Sequence, residues 1–355
     1  MKRTVITIVI GLLFLTNQSE ALKRPGVEFK IFQFPRTMIP RIDGKTDDWD
    51  IVPKSYVIGA DELMDTVKGH GLKRDPKDLD VSVRVGWVKG ENRLYFLYEA
   101  DDDYWNMYYA RGDIFELVVD GDLSGGQFVT NPQLDRRDNY YKFHGVHAQN
   151  YHIFTPPGEG RDWAMVWGCQ PWIRELPFAN YVYSYNFKEG ESGHLVLEFW
   201  ITPFDYAPFE GPDRAIISKL EENKIIGMSW AVLDYDENSK EYEGFWNLSH
   251  ETMMYGDASC LVAFRLMPLE PQYKKSIEAE WAFQILDKER RMVAFKDLSY
   301  GEITSWLWDF GDGTTSTEQH PIHTYKEPKD YNVILNVEGP AGKARRIKIF
   351  DVVVY

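Results

Sequence analysis

Cysteine is nearly absent from this chain: its 355 residues contain two, Cys169 and Cys260. So few cysteines exclude a disulfide framework and every Cys-based metal or redox motif. The pair either closes a long loop, which would stabilise by roughly 4 kcal/mol, or stays as two buried thiols. Cys260 alternates with Val262, Phe264 and Leu266 on what reads as a core face, which favours the thiols. The apolar run at Val5 to Leu15 is too short for a membrane span. Positive charge is scarce, 40 Lys and Arg against 55 Asp and Glu, with no basic stripe, so nucleic acid and anionic membrane are poor partners. A Gly-rich phosphate loop, a dinucleotide-binding fingerprint and a G-x-S-x-G elbow are all missing. Capped runs of helical period are few, and Glu210 to Asn223 is the one stretch expected to hold a short helix.

What is present begins with a targeting segment. Lys2 and Arg3 precede the apolar run, and Ser19-Glu20-Ala21 has the small-x-small form of a cleavage site. Residues 1–21 therefore read as a signal peptide, with a mature start near Leu22 and a secreted or periplasmic location. No Cys follows the apolar run, which speaks against a lipid anchor. Removing Lys2, Arg3 and Glu20 takes the net charge from -15 to -16. Beyond it, Val81 to Val88, Arg93 to Glu99, Asp113 to Val119, His194 to Ile201, Ile226 to Leu233 and Ser259 to Leu266 are short, rich in β-branched and aromatic residues, and set off by Gly, Pro, Asn and Asp. This predicts an all-β protein. Met267-Pro268-Leu269-Glu270-Pro271-Gln272 breaks it into two domains, 22–269 and 273–355.

The stretch Asp135 to Trp172 concentrates residues that handle protons, anions and sugar rings. From Tyr140 to His144 a period of two predicts a strand with Tyr140, Lys142 and His144 on one face, interrupted by Gly145. Arg136 and Arg137 suit a carboxylate, and His144, His147 and Tyr140 are able to exchange protons near neutral pH. These five are the candidate catalytic residues. Trp163 and Trp167, placed on one face of a strand, together with Trp105, Lys142 and His152, are the candidate sugar contacts, since a pyranose presents an apolar C–H face to an aromatic ring. The three histidines have no spacing that supports zinc. Asp120-Gly121-Asp122-Leu123-Ser124-Gly125 opens like a calcium loop, with Asp120, Asp122 and Ser124 as ligands, but Asn131 stands where the final acid belongs. A structural calcium is thus weighed against a plain acidic turn, and no cofactor is required.

Two resemblances add to this reading. Val293-Ala294-Phe295-Lys296-Asp297, Trp306-Leu307-Trp308-Asp309-Phe310-Gly311-Asp312-Gly313-Thr314 and His323-Thr324-Tyr325 resemble the PKD domain, which implies an immunoglobulin-like β-sandwich spacer. Ile42-Asp43-Gly44-Lys45-Thr46-Asp47-Asp48-Trp49, Leu94-Tyr95-Phe96-Leu97-Tyr98-Glu99-Ala100-Asp101-Asp102, Asp113 to Asp120, Leu197 to Pro203 and Gly227 to Asp234 fall in the order of family 9 carbohydrate-binding modules and their DOMON-like relatives. That resemblance implies a larger β-sandwich holding a sugar between aromatic side chains, often beside a structural calcium.

Two functions follow. One is a secreted carbohydrate-active protein engaging uronate-bearing oligosaccharides by β-elimination at C4/C5, as a carbon-oxygen lyase (dehydratase or polysaccharide lyase). The other is a non-catalytic carbohydrate-binding protein with a PKD spacer. Either way the partner is an oligosaccharide or polysaccharide, neutral or anionic. The Arg, His and Tyr residues favour the first, the fold resemblance the second.

Overall fold

The computed structural model describes residues 22–354 apart from Thr37, 109–111, 128–132, Leu134, 237–240 and 275–276; the side chains of Tyr140, Tyr141 and 348–354 also lie outside the description. The expected signal peptide, residues 1–21, lies outside the described residues. The chain divides into two compact units, up to Pro268 and from Leu269.

Strands of the first unit are β1 (Glu28–Gln33), β2 (Ile58–Gly59), β3 (Met64–Asp65), β4 (Leu79–Val88), β5 (Glu91–Asp102), β6 (Ile114–Asp120), β7 (Gln149–Phe154), β8 (Ala164–Val166), β9 (Ala179–Tyr185), β10 (Gly193–Ile201), β11 (Phe204–Tyr206), β12 (Ile216–Ile217), β13 (Ile225–Asp234), β14 (Gly244–Asn247) and β15 (Val262–Leu266). They form two layers. One runs β8-β7-β6-β13-β15-β1 and the other β1-β4-β5-β10-β9. Strand β1 belongs to both, because Glu28 to Ile31 pair in parallel with β15 while Phe32 and Gln33 pair in parallel with β4. Alternate side chains of the two layers meet in the core: Tyr98 of β5 lies 4.6 Å from Phe115 of β6, and Phe115 reaches Phe199 of β10 and Trp230 of β13. The outer face of the second layer is sealed by the Ile42 to Trp49 segment. Buried Glu198 accepts the Asp43 and Gly44 amides and the Trp49 indole at 3.0, 2.6 and 2.8 Å. Gly44 has φ +78 there, which a side chain rarely adopts.

A second, smaller core lies on the outer face of the first layer. Ile114, Val118, Phe154, Ala231, Leu233 and Phe245 are covered there by Met254, Ala258 and Leu261. Strand β6 is therefore buried on both sides along its whole length.

Helix content departs from expectation at two places. Arg136–Phe143 is α-helix α1, not a strand. Asp135 Oδ1 accepts the Arg137 and Asp138 amides at 2.8 and 2.9 Å, which is helix capping, and Gly145 at φ +76 ends the run. The short periodicity of Tyr140 to His144 yields to the cap. Conversely, Glu210 to Asn223 holds a single 3-10 turn, Pro212–Arg214, and strand β12; Gly211 at φ +115 and Pro212 forbid a longer helix. Both cysteines are free, Cys260 buried and Cys169 half-buried. Among the described residues no helix is long and apolar enough to cross a membrane.

The second unit has strands β16 (Trp281–Asp287), β17 (Met292–Asp297), β18 (Ser305–Asp309), β19 (Thr315–Ser316), β20 (Ile322–Thr324), β21 (Lys329–Gly339) and β22 (Gly342–Val354). They form sheets β16-β17-β20 and β19-β18-β21-β22 around Trp281, Phe295, Trp308, Phe310 and Tyr331. Asp309 and Asp312 accept the Gly311 and Thr314 amides across the tight turn, with Gly311 and Gly313 at positive φ.

Candidate functional site

Strand β6 carries one charged side chain in the middle of an apolar run, Glu116, and it is buried. Burying a carboxylate is costly unless it is paired. Its partner stands directly opposite on β7: His152 is in register with Glu116, and His152 Nδ1 makes a short contact to Glu116 Oε2. Glu116 Oε1 has no hydrogen-bond partner among the described residues. The Oδ1 atom of buried Asn150, two residues before His152 on the same face, has none either, while its Nδ2 donates to the Tyr255 carbonyl at 2.9 Å. Two acceptors without donors thus lie on the outer face of the first layer.

Aromatic groups border these acceptors. Trp167, just beyond β8, presents its ring edge-on to His152 at 5.5 Å, and its backbone amide donates to the Asn150 carbonyl at 3.1 Å. Tyr255, whose carbonyl accepts from Asn150, ends a 3-10 turn (Thr252–Tyr255) and is exposed, as is Met165 of β8, in register with His152. The Glu116 and Asn150 oxygens are enclosed, so the half-buried His152 and Trp167, with exposed Tyr255 and Met165, are what this face presents. His152 can exchange hydrogen bonds with hydroxyl groups, and the rings can cover apolar faces.

Of the residues expected from the sequence, His152 and Trp167 meet here. Trp163 does not: it precedes β8 and turns into the core, stacking on Tyr181 at 4.8 Å and donating to the Arg174 carbonyl at 3.1 Å. Trp105 is likewise core, stacked on Phe187 at 4.7 Å and bonded to the Gly193 carbonyl. Neither is a sugar platform in this structure. His144 is enclosed, and burial pushes its pKa down to about 4. His147 is exposed and contacts the Asp205 carbonyl at 3.2 Å. Arg136, Arg137 and Lys142 are exposed on α1, with Lys142 3.7 Å from Asp138. Burial keeps His144 from a solvent-borne sugar, while His147, Arg136, Arg137 and Lys142 are exposed. The Tyr140 side chain lies outside the described residues.

Glu116, Asn150 and Tyr255 were missed. The signal for Glu116 was in plain sight: an acid centred in Ile114-Phe115-Glu116-Leu117-Val118-Val119 has no solvated face to occupy.

Metal-capable residues lie elsewhere from the expected loop. Both Asp120 oxygens already accept backbone amides, from Asp122 and Ser124 at 3.3 Å and Gly125 at 2.9 Å, so that turn closes on itself. Burial and neighbouring Asp122 raise the Asp120 pKa to about 6. Asp102, Asp113 and Asp234 instead form a buried carboxylate trio. Burial first, then repulsion from neighbouring carboxylates, raises Asp102 to about 7 and Asp234 to about 9, and Asp113 well above its ordinary value.

Comparison with known proteins separates the two units. A family 9 carbohydrate-binding module from Caldicellulosiruptor kristjanssonii, solved with glucose, superposes with a TM-score of 0.43 at 15% identity, covering 69% of this chain and 97% of that one. A putative carbohydrate-binding protein from Bacteroides uniformis gives 0.34 at 10% identity, over 67% and 98%. Collagenase ColQ1 of Bacillus cereus is 54% identical over 43 residues, 12% of this chain and 4% of that protein, so the chain spans a small fraction of the curated relatives it matches. The PKD1 domain of the Vibrio cholerae metalloprotease PrtV is 29% identical with a TM-score of 0.19, over 22% of this chain and 99% of that one. Residues 285–354 match the PKD domain family, and the C-terminal unit is a PKD domain.

Proposed function

We propose that the larger domain is a non-catalytic carbohydrate-binding module that holds a saccharide on the Glu116–His152 pair, with the PKD domain as its spacer. The observation that carries this reading is the half-buried His152 imidazole, fixed by the buried Glu116 carboxylate and bordered edge-on by Trp167. An imidazole nitrogen can exchange hydrogen bonds with sugar hydroxyls, and its pairing with a carboxylate, roughly twice as strong as a neutral hydrogen bond, holds the ring in place. Trp167 and Tyr255 cover the C–H faces of a ring. Neutral sugars, which need no cation to hold a carboxylate, are the expected ligands. This sets the elimination reading aside.

Calorimetric titration of the full-length protein with glucose, cellotriose and a uronate oligosaccharide tests it. Neutral sugar should bind, Glu116→Gln and Trp167→Ala should each weaken binding at least about tenfold, and the melting temperature of Trp167→Ala should stay near that of the parent. Undiminished binding in both variants would move the site elsewhere. Release of unsaturated product from the uronate would restore the lyase.

A further inference from the structure

Strand β9 is the free edge of the second layer: it pairs with β10 on one side, and among the described residues no strand lies on the other. Such an edge offers a row of backbone N–H and C=O groups to any extended chain, and folded proteins blunt it by shortness, charge or a bulge. The other terminal strands of this protein are blunted in these ways. Strands β2, β3, β8, β11, β12, β19 and β20 have two or three residues each. Strand β16 has a register shift between Ile285 and Asp287, and exposed Lys343, Arg345 and Arg346 lie along β22.

Strand β9 has none of these protections. Its seven residues pair with β10 in unbroken register, from Ala179 against Ile201 to Tyr185 against Leu195. From Phe178 to Phe187 the chain contains no charged residue, proline or glycine. Tyr181, Tyr183 and Tyr185 share one face, and the domain fixes each of them. Tyr181 stacks on Trp163, the Tyr183 hydroxyl donates to the Phe154 carbonyl at 2.6 Å, and the Tyr185 ring lies 4.9 Å from Phe187. Tyr181 and Tyr185 are nonetheless exposed. The edge is long, regular, uncharged and aromatic, and its side chains are already ordered.

We propose that two copies of this chain associate through β9, strand against strand in antiparallel pairing, so that the second layer continues across a two-fold axis. The occupant of the edge is a second copy because the edge is self-complementary. With the axis perpendicular to the sheet at Val182 or at Tyr183, tyrosines of one copy lie against tyrosines of the other, and aromatic cross-strand pairs stabilise a sheet. No charge meets a like charge along the strand. The first charges beyond it are exposed Glu175 and Lys188, and antiparallel pairing brings the Lys188 end of one copy to the Glu175 end of the other. That matters in a chain of net charge -15, whose surface otherwise repels its own copy. The edge uses neither Glu116 nor His152, and it stands whether or not the saccharide reading holds.

Sedimentation velocity of the full-length protein over a range of micromolar concentrations tests association, and hydrogen exchange locates it. A dimer should form as concentration rises. The amides among Tyr181 to Tyr185 that β10 leaves free should exchange more slowly in it, while those of β16 keep their rate. The double variant Asn180→Lys with Ser184→Lys should weaken association at least about tenfold, and Gln284→Lys on the β16 edge should leave it unchanged. Should the double variant not fold, hydrogen exchange of the parent protein decides alone. A monomer at every concentration, a dimer without slowed exchange in β9, or a dimer broken by Gln284→Lys but not by the double β9 variant would each overturn the assignment.

Discussion

His144 and His152 are the same residue type on neighbouring stretches of chain, and the fold gives them opposite conditions. His152 meets a carboxylate at a surface; His144 is enclosed, and its imidazole stays neutral well below the usual pH. The consequence is a direction of pH dependence. The folded pKa of about 4 lies below an unfolded value of about 6.5, so above pH 6.5 neither state is protonated and nothing is lost. Between the two values the unfolded chain gains a proton that the folded chain refuses, and stability falls as pH drops, by up to roughly 3 kcal/mol. Urea melts at pH 7 and pH 4.5 should show His144→Gln losing less stability on acidification than the parent; equal losses would mean that His144 is not the group. Sequence pattern could name His144 as a proton carrier and His152 as a sugar contact but could not say which of them the fold encloses. Enclosure of His144 comes from tertiary packing, in which Gly168 closes against the His144 backbone carbonyl, and no local period relates those residues.

At the scale of elements, strands were legible and their partners were not. Val81 to Val88, Ile226 to Leu233 and His194 to Ile201 each became a strand with ends within two residues, because β-branched runs bounded by turn residues leave little choice. Parallel pairing of β1 with both β15 and β4 joins distant parts of the chain and leaves no local trace. Helix α1 was hidden for another reason: eight residues are too few for a clear helical period, and the decisive feature was the cap. Replacing Asp135 by Ala should cost about 1 kcal/mol, seen as roughly fivefold faster hydrogen exchange of the Asn139 to His144 amides, with Asp135→Asn close to the parent. Unaltered exchange in Asp135→Ala would mean that tertiary packing alone holds the helix.

For the whole molecule, the division at Pro268 separates two cores that share no residue. One is centred on Phe115, Phe199 and Trp230, the other on Trp281, Phe295 and Trp308. Domains with separate cores unfold as separate cooperative units, and a single stability value does not describe the chain. Trp308 is the sharpest probe of this. It is fully buried, lies 5.8 Å from Trp281 and 5.5 Å from Phe295, and donates its indole N–H to the Glu318 carbonyl at 3.0 Å. Removing it takes away a large apolar surface and leaves that carbonyl without its donor. Trp308→Ala should therefore destabilise the PKD domain by about 3–5 kcal/mol, enough to unfold a domain of ordinary stability. Calorimetry of the parent should resolve two transitions, and the variant should lose or lower one while the other keeps its midpoint and its response to saccharide. A single transition that moves as a whole in Trp308→Ala would show that the two cores fold as one.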